Sequence, residues 1–407
     1  MGVISVVQKD FRMKGYKYKI HPNVEQQKMI NQTIGCARFV YNHILFENLE
    51  RRKRSLPWLS KFDAIKILPE LKKSFEWLKE ADSIALQSSI EYLYQGFKRY
   101  NKMKKVLHKK TVKKYEEINY IPTEYDNLGH PRFKNKKHSV QSYTTKNSRG
   151  CIEIKENRIK LPKLGWVRFS KSRDVEGIIK RVTVSKSRLG KYSVSIICEL
   201  AYSPYKPAKN ESIGIDLGIT NLLVLSNGEI VRNPKTFQSY KKRLAFLQRA
   251  LARKQEGSKS WEENKRKITK VHQKIKCFRE DFLQKLSTRL IHENQVIGLE
   301  SLQVKSMVKE KQLSEAIHDA SWSKFVNMLN YKANWYGRII ISIDSFFASS
   351  QLCSECGFQN KEIKNLKIRS WVCPSCRAVH DRDLNAAKNI KIEAIRLYKL
   401  ERDSACI

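Results

Sequence analysis

Hydrophobic and polar positions alternate at the start of the chain. Tyr16, Tyr18 and Ile20 are separated by lysines, the two-residue period of a half-buried strand. From about Gln26 the period lengthens. Ile30, Ile34, Ala37, Tyr41 and Ile44 recur at three- and four-residue spacing, which predicts a helix. A second helix is predicted near Asp82, with Leu86, Ile90, Leu93 and Phe97 on one face; it runs into Lys98–Lys114, where eight lysines and one arginine gather. Residues 26–115 therefore read as a small helical unit. Between about 116 and 205 the alternation returns in Ile152/Ile154, Ile159/Leu161, Val167/Phe169 and Tyr192/Val194/Ile196/Cys198. Glu156-Asn157 and Leu189-Gly190 supply turns, and short strands at this spacing predict a small β-barrel.

A new pattern begins after Pro207. Ile213–Ile219 reads as a strand with Asp216 in its middle, and Leu222–Leu225 as a second strand. Asn227-Gly228 is a hairpin signal leading into Ile230-Val231. The longest helical stripe follows, through Ile268, Val271, Ile275, Phe278, Phe282, Leu286 and Leu290. Its other face is basic (Lys265, Arg266, Lys267, Lys270, Lys274) and suits a nucleic-acid groove, while the apolar face reads as plain packing. No internal repeat and no long low-complexity linker interrupts the chain.

Length and composition narrow the class. At 407 residues with 41% apolar residues the chain can form two to four globular domains. No stretch approaches the roughly 18–20 apolar residues of a membrane span. The first ten residues lack a basic segment followed by an apolar core, so the expectation is a cytoplasmic protein. Lys and Arg total 80 against 40 acidic residues, a formal charge of +40. That excess, spread over several segments, calls for a polyanionic partner and favours a long nucleic-acid track over a membrane surface. Pro131–Lys137 sets Phe133 among Arg132, Lys134 and Lys136, which suits phosphate contact with base stacking, or equally a solvated loop. Nine cysteines, four of them clustered, indicate a reduced protein with one metal site and not a disulfide framework.

Three acidic residues occupy unusual places. Asp216 lies within an apolar strand, where an unpaired carboxylate is costly to bury. Glu300 follows Val296-Ile297-Gly298-Leu299 in the same way. Asp383 begins an Ala-rich helical segment; Asp381 competes for that role, but Asn385-Ala386-Ala387 following as a helical turn favours Asp383 and leaves Asp381 as a linker or cap. Divalent cations would offset such charge: Mg²⁺ takes a few carboxylates plus water and phosphate, and two ions about 4 Å apart support phosphodiester hydrolysis. A strand-end cap at Asp216 or an ion pair at Glu300 is the bland alternative for each acid alone. Cys353, Cys356, Cys373 and Cys376 form C-x₂-C-x₁₆-C-x₂-C, the spacing of a structural Cys₄ zinc ribbon with no open position. His380 is close enough to substitute as a ligand.

These residues carry a resemblance. Tyr18–Asn23 with Glu25-Gln26, Gly35–Asn42, Gly129–Lys134, Leu161–Val167, Gly214–Gly218, Gly298–Leu302, Ser349–Cys353 and Asp381–Ile390 together resemble the TnpB family of transposon-encoded nucleases, over nearly the whole length. Arg377 stands where a glycine is usual after the last zinc cysteine, and Ala348 where a proline is usual, which leaves the ligands intact. The resemblance implies a multidomain α/β and β-barrel fold. Its parts would be a split β-barrel wedge domain (1–25 and 116–205) around a helical recognition domain (26–115), and a RuvC (RNase H-like) core (206–352 and 377–400) with a zinc-ribbon insert (353–376) and a tail (401–407). It implies that Asp216, bridging two Mg²⁺ ions, acts with Glu300 and Asp383 as the catalytic acids, and that one Zn²⁺ sits on the four cysteines. Its implied partners are a guide RNA encoded at the transposon end and target double-stranded DNA, cut beside a short transposon-adjacent motif, by a monomer in the prokaryotic cytoplasm near the nucleoid. Tyr41, Asn42 and Gln87 are candidate motif contacts, with packing or capping as the competing reading. Rival readings are a miniature type V CRISPR effector, a nuclease-dead regulator and an RNase H-like transposase; no separate helix-turn-helix is evident for the last.

Overall fold

Lysines face outward and Tyr16, Tyr18 and Ile20 inward along Phe11–His21 (β1), as the alternation requires. A computed structural model describes residues 11–115, 129–137, 140–201, 207–301, 315, 317, 319–365 and 367–405. The expectations for the first ten residues, for the boundaries at 116–128 and 202–206, and for Cys406 fall outside these residues. The chain divides into two units, one within Asp10–Tyr202 and one within Ser203–Ile407.

In the first unit β1 sits inside a seven-stranded sheet with Gln141–Lys146 (β2), Glu153–Lys155 (β3), Arg158–Leu161 (β4), Gly165–Phe169 (β5), Ile178–Lys186 (β6) and Tyr192–Ala201 (β7). The order is β2-β6-β7-β1-β5-β4-β3 and all pairings are antiparallel. The expected barrel is open in its hydrogen bonding: β2 and β3 end the sheet, without a pairing between them among the described residues. Helices cover the β2 end instead, where Arg38 Nη1 donates to Gln141 Oε1 at 3.1 Å and Tyr92 Oη to Thr144 Oγ1 at 3.2 Å.

The helices are inserted between β1 and β2: Val24–Lys53 (α1), Lys61–Lys66 (α2), Leu68–Ser74 (α3) and Ser83–Tyr115 (α4). Asn23 starts α1 through a capping box: its Oδ1 accepts from Gln26 N at 2.8 Å while Gln26 Oε1 accepts from Asn23 N at 3.1 Å. One side of α1 (Ile30, Ile34, Ala37) joins the sheet core with Tyr18, Val167 and Val194. Its other side (Val40, Ile44, Leu45) packs with Leu86, Ile90 and Leu93 of α4. Two buried sides explain why this helix is apolar around so much of its circumference.

The second unit holds a five-stranded sheet of Asn210–Leu217 (β8), Asn221–Leu225 (β9), Ile230–Arg232 (β10), Asn294–Glu300 (β11) and Ile339–Ile343 (β12), ordered β10-β9-β8-β11-β12. The first three strands form an antiparallel meander, and β8, β11 and β12 run parallel, the arrangement of an RNase H-like core. Thr236–Ala252 (α5) and Lys259–Glu293 (α6) form a helical hairpin around Leu244, Leu247, Val271 and Ile275. The expected α6 stripe is corrected at Phe278, which is 58% exposed. The buried line instead advances four residues at a time, from Val271 and Ile275 through Arg279, whose Nη2 pairs with buried Asp319 at 2.6 Å, to Leu283 and Ser287. Trp322–Tyr336 (α7) packs on that second half. Ser370–Val372 (β13) and Val379–Asp381 (β14) form the ribbon hairpin, and Arg382–Ala405 (α8) closes the chain. Among the described residues no helix is long and apolar enough to cross a membrane.

Two glycines let α8 lie directly on the sheet. A Cβ on Gly214 would come within 2.1 Å of Ala387 O and 2.5 Å of Lys391 N; one on Gly298 would meet Ala394 Cβ at 2.7 Å and Ile390 O at 3.0 Å. Because helix backbone blocks the first position, Gly214→Ala is expected to destabilise this unit by about 3 kcal/mol. Gly35 in α1 has open space, so Gly35→Ala is expected to stabilise by roughly 0.5–1 kcal/mol through helix propensity. Urea unfolding of both variants checks the pair; equal effects would show that the close approach is not what the glycine permits.

Candidate functional site

Register and alternation bring the acids together. Gly214 pairs with Gly298 and Ile215 with Leu299 across the parallel strands β8 and β11, so Asp216 and Glu300 follow as the next neighbours at the C-terminal ends. Ile215 and Leu299 point to the opposite core with Leu283 and Leu286. Asp216 and Glu300 therefore face α8, as Gly214 and Gly298 do two residues earlier. Ala387 and Lys391 of α8 touch the Gly214 position, and Asp383 lies one turn before Ala387 on the same helix face. Asp381 is taken by capping: its Oδ1 accepts from Leu384 N at 2.9 Å. Asp383 stays on the strand side, with Arg369 Nη1 at 3.4 Å from its Oδ1.

Electrostatics mark this cluster as short of positive charge. The Asp216 carboxyl is pushed up to about 7, first by burial and then by the charges of Glu300 and Asp383; Arg382 and the Leu217 backbone N–H oppose the rise. Glu300 Oε1 accepts a hydrogen bond from the buried Ser349 hydroxyl. Asp216 with the neighbouring Glu300 and Asp383 carboxylates is the kind of oxygen donor set that Mg²⁺ takes, and these residues would hold that ion, although among the described residues only the four cysteines have their ligand atoms gathered within 4.8 Å.

The four cysteines also converge. Their Sγ atoms all lie within 4.8 Å of one another, with Cys353–Cys376 and Cys356–Cys373 both at 3.6 Å. A tetrahedron of thiolates at the usual Zn–S distance of about 2.3 Å has edges of about 3.8 Å, so the cluster fits zinc. Four adjacent thiols cannot all ionise without a cation. Cys356 is held down at about 7, chiefly by the Phe358 backbone N–H, whereas at Cys376 the lowering by the Ala378 backbone N–H is outweighed by desolvation and then by the other sulfurs, which push it up to about 12. His380 is buried beneath Trp371 with Nε2 3.0 Å from Cys353 Sγ, the place of a hydrogen-bonding neighbour to a ligand.

Of the predicted nucleic-acid residues, the structure joins most into one surface of the first unit. Lys134 Nζ lies over the buried Tyr41 ring at 3.9 Å, and burial lowers the Lys134 pKa. Both ends of the Asn42 amide bind the Lys134 backbone at 2.8 Å, so the two residues seat the 131–137 segment. Arg132, Phe133 and Lys136 remain exposed on it. Phe133 borders a concavity of about 700 Å³ with Phe39, Phe46, Trp77 and Arg38, an aromatic surface the periodicity did not reveal. Gln87 is exposed on α4, and no contact joins it to this surface among the described residues. Ser349 and Arg369 contact the carboxylates, and Asn385 and Asn389 bind the backbone of 349–354 beside them; Ser349 and Asn385 entered the sequence reading only as motif and helix-turn positions, and Arg369 and Asn389 had no role in it.

Known proteins agree with this architecture. Residues 195–311 match the OrfB_IS605 family model, described as a probable transposase, 322–390 match a Cas12f1-like TNB domain, and 13–56 match the helix-turn-helix domain of the same OrfB type. In the structure 13–56 comprises β1 and the single 30-residue helix α1, not two helices across a turn. A Streptomyces pristinaespiralis protein, named as an inferred RNA-guided DNA endonuclease, is 36% identical over 93% of this chain and 88% of its own. Escherichia coli K12 InsQ, named likewise, is 30% identical over 93% of this chain and 92% of its own. The fold is similar to that of the mini-RNA-guided endonuclease CRISPR-Cas phi3, at a TM-score of 0.50 and 12% identity over 93% of this chain and 92% of that one. The chain belongs to the TnpB family.

Proposed function

We propose that this chain is an RNA-guided endonuclease that hydrolyses phosphodiester bonds of double-stranded DNA beside a short transposon-adjacent motif. The observation that carries the reading is the meeting of Asp216 and Glu300, at the ends of two parallel strands, with Asp383 in the first turn of α8. A bound pair of Mg²⁺ ions would activate a water and stabilise the leaving oxygen there. The chain's own part is to fix the ligands: the sheet register sets Asp216 beside Glu300, and the glycine contacts hold α8, and with it Asp383, against them. One Zn²⁺ on the four cysteines would maintain the ribbon. The formal charge of +40 supports a long polyanion, and names of relatives at 36% and 30% identity support guidance by RNA. In such a complex base pairing reads the target, while the protein reads a flanking motif and grips the duplex backbone. The wedge (1–25, 116–205) and recognition (26–115) segments would do the gripping, as a monomer.

The description of the matched family model favours a second reading, strand transfer by the same core. One experiment tests the guidance that only the first reading requires. The protein is co-expressed with its flanking genomic DNA and purified, and the bound RNA is sequenced. A single RNA whose 3′ end runs past the transposon boundary is expected. Recovery of unselected cellular RNA alone would sink guidance and leave a protein-only nuclease or transposase.

A further inference from the structure

The segment 349–354 joins the two metal sites. Ser349 Oγ donates to Glu300 Oε1, and Ser349 O accepts from Asn389 Nδ2 at 2.8 Å. Leu352 O accepts from both Asn389 Nδ2 and Asn385 Nδ2 at 2.6 Å. Asn385 Oδ1 accepts from Ser354 N at 2.9 Å, inside the first cysteine pair. Both asparagines are buried, four residues apart on α8, the helix that carries Asp383. A continuous chain of hydrogen bonds thus runs from the zinc knuckle through the α8 amides to Ser349 and on to Glu300.

We propose that Ser349 is a positioning residue that fixes the Glu300 carboxylate for metal binding, and that the Asn385–Asn389 clamp sets Ser349 from α8 and the zinc knuckle. The inference rests on the metal-dependent nuclease reading above. Glutamate has three rotatable side-chain bonds, and freezing them costs entropy when a ligand must be held. A hydroxyl donated to one oxygen pins the carboxylate in advance and leaves the other oxygen for a cation. The amides hold Ser349 through its own carbonyl, so its hydroxyl is free to serve Glu300. Partners of this kind around metal ligands typically set affinity by 10–100-fold.

The test measures Mn²⁺ binding to the full chain by electron paramagnetic resonance, beside cleavage of guide-matched DNA at varied Mg²⁺. Ser349→Ala is expected to weaken Mn²⁺ binding about 10–100-fold and to shift cleavage to correspondingly higher Mg²⁺. Ser349→Thr keeps the hydroxyl and is expected to restore both. Asn389→Asp, which loses the amide donors, is expected to follow Ser349→Ala. A Ser349→Ala protein that binds Mn²⁺ like the wild type, with only a lower Tm, would overturn the proposal by making Ser349 a packing residue. Wild-type protein that binds Mn²⁺ yet cleaves no guided DNA would remove the endonuclease reading and leave the positioning claim standing. Wild-type protein without a Mn²⁺ site would overturn both.

Discussion

Asp216→Asn is expected to abolish guided DNA cleavage, to leave RNA binding within a few-fold, and to make the metal-free protein more stable. The first two outcomes follow from its place among three carboxylates. The third follows from electrostatics. Burial and the charges of Glu300 and Asp383 raise the Asp216 pKa to about 7 from an ordinary 3.8. A carboxyl raised on folding costs nothing below its unfolded value, where both states are protonated. The cost grows as pH rises between the two values and is complete above the folded one. A shift of about three units corresponds to an upper limit of about 4 kcal/mol. The amide carries no charge, so the variant escapes this cost. Urea unfolding is therefore expected to separate variant and wild type little near pH 4 and most near pH 8. Adding Mg²⁺ at pH 8 is expected to close the gap, because the cation stabilises the wild type and finds fewer ligands in the variant. A variant less stable than wild type at pH 8 without metal would mean that Asp216 is a satisfied structural carboxylate.

The elements that carry this chemistry were readable because they break local patterns. Asp216 and Glu300 interrupt apolar strands, and two C-x₂-C pairs at ribbon spacing stand out from any packing period. Each is therefore conspicuous in one dimension. Gly214 and Gly298 stand two residues before the acids and were visible in the same motifs, yet their role depends on a helix about 175 residues beyond the first and about 95 beyond the second. What stayed hidden was set by partners well outside the local window. The helix α5 buries Leu244 and Leu247 with Phe237 and Tyr240 half-buried beside them, a short stripe whose partner is the first half of α6. At the middle of α6 an ion pair to Asp319 replaces a hydrophobic contact, so Arg279 takes the inward position that periodicity gave to Phe278. Asn385 and Asn389 look like ordinary helix residues until the carbonyls of Ser349 and Leu352 meet them. Barrel closure was likewise undetermined, because strand alternation states which face is buried and not whether the last strand meets the first.

Loss of the zinc proposed for the four cysteines is expected to be as damaging as removal of an acid, although those cysteines lie outside the carboxylate cluster. The ribbon's own core is Cys353, Ile363, Trp371 and Cys373 with Ile368 beside them, and two of those five are ligands. So small a core cannot offset the entropy of ordering a segment of this length. Structural zinc supplies on the order of 10 kcal/mol to small domains of this kind. Cys373→Ser removes a fully buried ligand and is expected to give protein with well under one zinc per chain by metal analysis, rapid proteolysis within 353–376 and loss of guided cleavage. Far-UV circular dichroism is expected to change little, since among its described residues the ribbon contains only β13, β14 and one turn of 3₁₀ helix. The loss of activity follows from the chain's connectivity. Ser354 N lies between the first two ligands and is held by Asn385, two residues from Asp383, while Leu352 and Ser349 lead back to Glu300. A loosened knuckle releases that side of the clamp, so Mn²⁺ affinity at the carboxylates is expected to fall together with zinc content. Zinc-depleted Cys373→Ser protein that cleaves guided DNA at the wild-type rate would show that the acids are held by the sheet and α8 alone.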